Sequence, residues 1–450
     1  MGFIWTCALK AGIRLHMITA RCVRKTVLFC NVVALVALLS SLVPAVSAAG
    51  FRAGVGVRVV TPDPLLPVSG GMGPSAPSSQ KLGELNVRAL VLEQGATRVA
   101  IVSTDFLGFP AVLGDKVRAG VKGIPADHIL IGASHTHSAP DCYAFPDEQG
   151  RTSADLKYLD WVCARAVEAV QEAVESLQPA SVRIATGEAR GKIAYNYYAP
   201  ALYDPRCHVI QAVALNAKPI ATLVNYAIHP EVLGNDLGIV SPDLIGPLYD
   251  RITELGGGVG IFMNSAQGGM VTADNRDAAG GDDLRRWDEC VRIGHLLADE
   301  SIRIVSEAPL QAEPALTCDS RVIELPVDSP ELRFVLAHSP LKHQDAGAGV
   351  VSTRLNLVNL GNAQILTIPG EALPNLGFYL KRKMHGEHNL LFGLTNDAFG
   401  YIMAKVDWQS FKRYDYISRV CLGEMTGEIL IEESLKLVAD APRPQGHAQQ

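Results

Sequence analysis

The sequence lacks any Cys-x-x-Cys pair, although it contains nine cysteines. Three of them lie in the first 48 residues, and the other six are far apart in the chain. This spacing argues against a metal site built on thiolates, which needs closely spaced cysteine pairs. One or two disulfides are compatible with an exported protein, but the sequence alone does not pair them. The six cysteines are Cys142, Cys163, Cys207, Cys290, Cys318 and Cys421.

Acidic side chains are absent from the first 48 residues, which carry five basic ones. Because the formal net charge of the whole chain is -6, the remainder carries -6 minus 5, or -11. An acidic chain argues against nucleic acid as the partner.

The same N-terminal segment has the order of a secretory signal. Basic residues up to Lys25 precede an apolar run from Val27 to Val43, and Pro44-Ala-Val-Ser-Ala-Ala49 supplies small residues for cleavage. We therefore predict a cleaved signal peptide over residues 1–48 and a secreted or periplasmic protein. The alternative is an N-terminal membrane anchor, because the run approaches the lower length limit of a spanning helix.

Beyond this segment the sequence has no further apolar stretch long enough to span a bilayer, no internal repeat and no low-complexity linker. A hydrophobic content of 48% and a charged content of 19% are typical of a globular protein with a sizeable core. We predict one large domain over residues 50–440 and a disordered tail over residues 441–450.

Strand-like runs and amphipathic helices occur together, which predicts an α/β fold with mixed β-sheets flanked by helices. Apolar residues recur at helical spacing over residues 156–177, and a second long helix is predicted from Leu284 to Val305. Ser241-Pro242-Asp243 resembles an N-cap with proline at the first helical position, for a helix that ends near Leu255. After Pro309 the pattern changes mainly to strands.

A histidine pair follows one of the predicted strands. The stretch Gly132-Ala-Ser-His-Thr-His-Ser-Ala-Pro-Asp141 places His135 and His137 two residues apart. If strand geometry continues through them, both imidazoles point to the same face. Such strand ends are where α/β enzymes often place their chemistry, although two polar residues at a loop edge are an equally good interpretation of an isolated pair.

Potential zinc ligands lie at four strand ends. These are His135, His229, Glu371 and Tyr401, which offer two imidazoles, a carboxylate and a phenolate. Nitrogen and oxygen ligands suit Zn²⁺, and the absence of thiolates favours a catalytic over a structural site.

Two glycine-rich loops accompany these residues. The loop over residues 67–77 contains Gly71, where backbone without side chains is predicted to approach a substrate closely. Composition alone slightly favours the alternative, a plain surface loop. The loop over residues 264–274 lacks the Gly-Lys-Ser/Thr ending of a phosphate-binding loop.

Four motifs in this order resemble those of the neutral/alkaline, non-lysosomal ceramidases. Ala133-Ser-His-Thr-His-Ser-Ala-Pro140 resembles the family's His-Thr-His-Ser signature, and Asn225-Tyr-Ala-Ile-His-Pro230 resembles its second zinc-histidine segment. Thr367-Ile-Pro-Gly-Glu371 and Asn396-Asp-Ala-Phe-Gly-Tyr401 resemble its zinc-glutamate and zinc-tyrosine segments. The resemblance implies a zinc-dependent amidase in which His135, His229, Glu371 and Tyr401 hold the metal and His137 contacts the substrate.

The chain departs from the family's pattern at several positions. The family's serine nucleophile aligns with Val271, or with Thr272 after a one-residue shift, so Thr272 is the candidate catalytic hydroxyl. A substrate-binding tyrosine maps to Tyr414 or Tyr416, and Arg206 is a weak match for the family's substrate-binding arginine. The family's C-terminal β-sandwich domain has no counterpart in a chain of this length.

The predicted function is therefore zinc-dependent hydrolysis of the amide bond of an N-acylated lipid, such as a sphingolipid, through a zinc-activated water. The alternatives are another exported zinc hydrolase that acts on an ester or a different amide, and a non-catalytic homologue that keeps the pocket. The expected partner is a small-molecule or lipid substrate, with peripheral membrane contact as a further expectation. The sequence does not determine the oligomeric state.

Overall fold

The computed structural model describes residues 50–343 and 349–445. The predicted signal peptide, residues 1–48, therefore lies outside the described residues, as does the predicted tail from residue 446 onward. The first part of that tail packs against the fold, since Asn359 Nδ2 donates to the carbonyl oxygen of Pro442 at 2.6 Å and Gln445 N donates to that of Gly361 at 2.9 Å. From Phe51 onward the described residues belong to a single compact unit.

Twenty-one strands are distributed along the described chain. They are β1 (Arg52–Val59), β2 (Val68–Ser69), β3 (Gln80–Lys81), β4 (Asn86–Gln94), β5 (Thr97–Thr104), β6 (Ile129–Ala133), β7 (Ala139–Pro140), β8 (Gln178–Glu188), β9 (Ala194–Asn196), β10 (Arg206–Ala214), β11 (Pro219–Tyr226), β12 (Ile239–Val240), β13 (Val259–Asn264), β14 (Val271–Ala273), β15 (Leu310–Gln311), β16 (Leu316–Pro326), β17 (Val350–Leu360), β18 (Ala363–Thr367), β19 (Gly370–Ala372), β20 (His388–Phe392) and β21 (Phe399–Ile402).

Eight α-helices occur among the described residues. They are α1 (Ala111–Gly120), α2 (Leu156–Glu175), α3 (Ile245–Glu254), α4 (Trp287–Ser306), α5 (Pro330–His338), α6 (Pro374–Lys383), α7 (Asp415–Arg419) and α8 (Thr426–Asp440). Within this part of the chain, none of them is long and apolar enough to cross a membrane.

Two mixed sheets form the centre of the fold. The larger has nine strands in the order β13-β11-β10-β8-β1-β4-β5-β6, with β15 paired to β8, and the smaller has the order β16-β17-β18-β20. Both contain parallel and antiparallel pairs, since β5–β6, β11–β13 and β18–β20 are parallel. The predicted mixed α/β class is confirmed, and the described residues contain no separate sandwich domain.

The two sheets pack face to face and are covered by helices on their outer sides. In β4, Leu90 and Leu92 face the second sheet while Ala89 and Val91 face α1 and α2. In the same way α3 and α4 cover the β10–β11–β13 part, and α6 and α8 cover the smaller sheet. Because both faces of β6, β13 and β18 are buried, the sequences of these strands are mostly apolar.

Two local predictions differ from the structure. Helix α3 begins at Ile245 without a side-chain cap, because Asp243 has a φ of 54° and its carboxylate accepts from Leu233 N and Leu244 N instead. The predicted N-cap at 241–243 is therefore wrong. The expectation of mainly strands after Pro309 is also incomplete, because α5, α6, α7 and α8 all lie there, and α1 was not predicted either. Of these helices, α5 has a local signal, since Ser329 caps it by accepting from Leu332 N and Pro330 lies in its first turn.

Candidate active site

His135 lies just beyond the carboxyl end of β6. The strand stops at Ala133, and His135 has a φ of 72°, so strand geometry does not continue through the His-Thr-His motif. Its backbone N–H donates to Phe106 O, and its ring Nδ1 bonds to Leu107 O. With Nδ1 held by a carbonyl oxygen, Nε2 is left with its lone pair free for a ligand.

His229 has the same arrangement after β11. Its backbone N–H and its ring Nδ1 both lie within hydrogen-bonding distance of Val271 O, at 2.8 and 2.9 Å. As in His135, the Nε2 atom of His229 is therefore left with its lone pair free for a ligand. Asn264, at the end of β13, joins the two histidine loops, because its Nδ2 donates to Ser134 O at 3.1 Å and to Ile228 O at 2.7 Å. No pattern in the sequence indicates this role of Asn264, which only the tertiary structure shows.

Glu371 supplies an oxygen between the two histidines. Its Oε2 lies 3.1 Å from His229 Nε2 and 3.4 Å from His135 Nε2. Burial opposes the charged form of this carboxyl, but His135 and His229 hold the pKa of Glu371 well below the usual value. Gly268 makes the approach possible, since a Cβ there would lie 2.1 Å from the Glu371 carbonyl oxygen.

Tyr401 lies beside Glu371, because β19 and β21 pair in parallel with these two residues in register. The Tyr401 hydroxyl is 3.1 Å from Met270 Sδ, and burial raises the pKa of Tyr401 well above its usual value.

His137 completes a group of three imidazoles. Its ring centroid lies 4.8 Å from that of His135 and 5.6 Å from that of His229. Its Nδ1 is 3.6 Å from Glu231 Oε2, whereas its Nε2 is buried and has no hydrogen-bond partner among the described residues. Burial, together with His135 and His229, lowers the pKa of His137 well below the ordinary histidine value. The ring is therefore neutral at physiological pH.

The donor set fits a divalent metal ion such as Zn²⁺. One nitrogen from each of His135, His137 and His229 can be chosen so that all three lie within 4.8 Å of one another. Two imidazoles and a glutamate form a common set of ligands in catalytic zinc sites. The hydrogen bonds from Nδ1 of His135 and His229 to carbonyl oxygens are the supporting contacts usual for zinc-binding histidines. The unpartnered, buried Nε2 of His137 is a further sign that the group is arranged for a ligand.

A cavity of about 810 Å³ opens onto this group. His135, His137, Glu371 and Tyr401 line it, together with an apolar wall that includes Leu332, Val335, Leu336, Val420 and Leu422. The three leucine and valine positions on α5 were missed because that helix was not predicted.

The remaining candidate residues divide into two groups. Gly71 and Tyr416 both line the cavity, and a Cβ at Gly71 would meet the Tyr416 hydroxyl at 3.6 Å. Thr272 and Tyr414 are not among the described lining residues: Thr272 pairs with Tyr195 between β14 and β9, and the Tyr414 ring packs on Tyr198 at 5.5 Å. Of the two tyrosines considered from sequence, Tyr416 is thus the one at the cavity.

Arg206 also lies away from the cavity. Its guanidinium forms a two-pronged ion pair with Asp204 at 2.7 and 2.8 Å. None of the described residues that line the cavity is an arginine.

Comparison with known proteins supports the predicted resemblance. No protein-family model matches the chain. Neutral ceramidase B of Dictyostelium discoideum is 28% identical over 131 residues, which make up 26% of this chain and 18% of that protein's length. The chain thus matches much less than two thirds of this relative.

Solved structures show the same fold over nearly the whole chain. Neutral ceramidase from Pseudomonas aeruginosa superposes with a TM-score of 0.71 at 15% identity, over 90% of this chain and 77% of that one. A ceramidase complexed with C2 gives a TM-score of 0.70 at 17% identity, over 89% of this chain and 77% of that one. The chain therefore has the fold of these ceramidase structures and is similar in sequence to a neutral ceramidase over part of its length.

Proposed function

We propose that this protein hydrolyses the amide bond of an N-acylated lipid, with a zinc ion held by the site described above. The observation that carries the proposal is the convergence of His135, His137, His229 and Glu371 beside a cavity with an apolar side, whose wall His135, His137 and Glu371 line. The relatives are named ceramidases, so a ceramide is the first substrate to test.

His135, His229 and Glu371 would hold the metal, with Tyr401 beside them. When bound, zinc lowers the pKa of a water molecule to about 7 and polarises a carbonyl group. The ionised Glu371 balances part of the charge of the ion, and the carbonyl bonds of the two histidines keep their Nε2 atoms directed at it.

His137 would stabilise the reacting carbonyl. In the neutral tautomer that carries its proton on Nε2, the unpartnered Nε2–H at the cavity wall would donate a hydrogen bond to the oxygen that gains negative charge. Nδ1, 3.6 Å from Glu231 Oε2, is too far from that carboxylate for a hydrogen bond. One donor of this kind contributes about 3 kcal/mol to transition-state stabilisation. In the overall reaction, water adds across the C–N bond, the fatty acid keeps the new oxygen, and the amine leaves with a proton.

The position of Thr272 favours water as the attacking group. A threonine nucleophile must reach the substrate and a neighbouring base. Thr272 forms a backbone bridge with His229 but, unlike His135, His137 and Glu371, is not among the described residues that line the cavity. We therefore propose that Thr272→Val retains most of the activity.

The experiment compares the metal content and ceramide hydrolysis of the purified wild type with those of His135→Ala and His229→Ala. Both variants should lose the metal and the turnover, while His295→Ala, on α4 and outside the cavity lining, should keep both. Full turnover in metal-free wild type would rule the mechanism out.

A panel of substrates separates the alternatives. Hydrolysis of esters but not of amides would favour another type of zinc hydrolase. Tight binding of ceramide without turnover, at saturating zinc, would favour a non-catalytic homologue.

A further inference from the structure

A second cavity adjoins the one at the histidine group. It has a volume of about 690 Å³. The two cavities share Leu336, His343, Asp397 and Phe399 in their walls. A substrate bound at the histidines can therefore extend from one cavity into the other past these residues.

The linings of the two cavities differ in chemistry. The first has an apolar wall and no arginine among its described lining residues, whereas Arg118 and Arg354 both line the second. Its acids are Asp115 and Asp397.

Three of these four charged groups already have partners. Arg118 is buried and bonds to Asp115 Oδ1 at 2.9 Å, to Asn396 Oδ1 at 2.9 Å and to Ile129 O at 3.2 Å. Asp397 Oδ1 accepts from Ala111 N and Ala398 N at 3.1 and 2.9 Å. The charge of Arg118 is therefore balanced by Asp115, whereas Asp397 is held by uncharged backbone donors.

Arg354 is the exception. No hydrogen bond or ion pair holds its guanidinium within residues 50–343 and 349–445, although the residue is half-buried. Next to it on β17, Thr353 is 5% exposed, and its hydroxyl interacts with the Asp397 carboxylate, so Arg354 is the group without a partner. Arg354 lies opposite Val322 of β16, which is 63% exposed and lines the same cavity, so water-soluble groups can enter on this side.

We propose that the second cavity binds an anionic group, a carboxylate or a phosphate, carried by the part of the substrate that leaves as the amine. Arg354 offers five N–H donors in a planar arrangement that matches such oxygens. Unpaired polar groups of this kind are unfavourable in a protein interior unless a ligand satisfies them. This inference rests on the proposed function, since it assigns a substrate class to the same site.

The test uses two amides that differ in charge at one end. N-dodecanoylglycine ends in a carboxylate, and N-dodecanoylethanolamine ends in a hydroxyl at the same place. We expect the zinc-loaded wild type to prefer the carboxylate in kcat/KM by about tenfold or more, the effect of one charge-assisted hydrogen bond.

Three variants examine the origin of this preference. Arg354→Met should abolish it, Arg354→Lys should keep most of it because the charge remains, and Lys218→Met should keep all of it. Lys218 lies exposed in the turn between β10 and β11, so its variant controls for the loss of one positive charge elsewhere. An unchanged preference in a folded Arg354→Met protein, or no preference in the wild type, would overturn the proposal.

Calorimetry separates this proposal from the catalytic one. If the wild type hydrolyses neither amide, tighter binding of N-dodecanoylglycine than of N-dodecanoylethanolamine, lost in Arg354→Met, still supports the anion site. Inorganic phosphate serves as the free-anion probe. Arg354-dependent binding of phosphate without any preference between the two amides would overturn the assignment of the anion to the substrate.

Discussion

At the scale of single residues, the site depends on which ring nitrogen of each histidine forms a hydrogen bond with a backbone carbonyl oxygen. His135 and His229 both use Nδ1 for a carbonyl oxygen, and both direct Nε2 toward Glu371 Oε2. His137 differs because its Nε2 has no partner among the described residues. This difference is why we assign two of the rings to the metal and the third to the substrate.

Replacement of Glu371 by glutamine tests its charge while keeping its shape. We expect Glu371→Gln to weaken zinc binding by at least about tenfold, because a neutral amide oxygen is a weaker ligand than a carboxylate. Competition with a coloured chelator measures the affinity. Glu313→Gln, at an exposed position, is the matched control, and equal zinc affinity in the two variants would contradict the ligand assignment.

At the scale of elements, a buried ion pair fixes α6 against the large sheet. Lys381 Nζ lies 3.0 Å from Asp204 Oδ2 and 3.0 Å from His208 Nε2 of β10. Helix α6 follows directly after the segment that carries Glu371, so this contact also helps to hold the glutamate in place.

We expect Lys381→Met to destabilise the protein by about 3 kcal/mol at pH 7, because it leaves Asp204 buried with only Arg206 as a charged partner. Urea unfolding measures the change. Lys383→Met, at an exposed position of the same helix, should have little effect. Equal stability of the two variants would show that the buried pair does not stabilise α6.

The same pair predicts a pH dependence. Burial disfavours the charged carboxylate, but Lys381 and Arg206 hold the pKa of Asp204 well below its usual value. The pair's contribution is therefore fully present above the unfolded pKa of about 3.9 and is lost as the pH falls toward the lower folded value. Wild type should lose more stability than Lys381→Met between pH 7 and pH 3, and a parallel loss would count against this explanation.

At the scale of the whole molecule, the site forms where the two sheets end together. The chain leaves β6, β11, β18 and β20 at their carboxyl ends and then supplies His135, His229, Glu371 and Tyr401 in that order. Asn225 ties the sheets at this edge, since its Nδ2 donates to Met263 O of the larger sheet and Leu391 O of the smaller one, at 2.9 and 2.8 Å. The packing of the two sheets therefore determines the geometry of the site.

At the scale of the whole chain, we also propose that the protein is exported and that its signal peptide is removed. Expression of the full sequence in a secreting host should give a mature protein that begins near Ala49, as N-terminal sequencing would show. Leu35→Arg combined with Leu38→Arg should block processing, because charges interrupt the apolar run. An exported wild-type protein that keeps its first residues in a membrane fraction would instead support the anchor.

The sequence by itself determined the kinds of residue at the site and most of the long elements. The helical periodicity of residues 156–177 and the apolar strands reflect local preferences and burial on one or both faces, which a pattern can show. The four motifs also identified His135, His229, Glu371 and Tyr401 as a set, through resemblance. The helix α5 was not predicted although Ser329 and Pro330 are a local cap signal, whereas the φ of 72° at His135 has no such signal, because tertiary contacts set it.

Only the tertiary structure decided which of these residues meet. It brings Glu371 within hydrogen-bonding distance of His229, 142 positions earlier in the chain, and places Tyr416 rather than Tyr414 at the cavity. It also leaves Arg354 without a partner among the described residues, which no sequence pattern indicates. The physical reason is that contacts between distant segments follow from how two sheets pack, whereas periodicity reports only whether a side chain is buried.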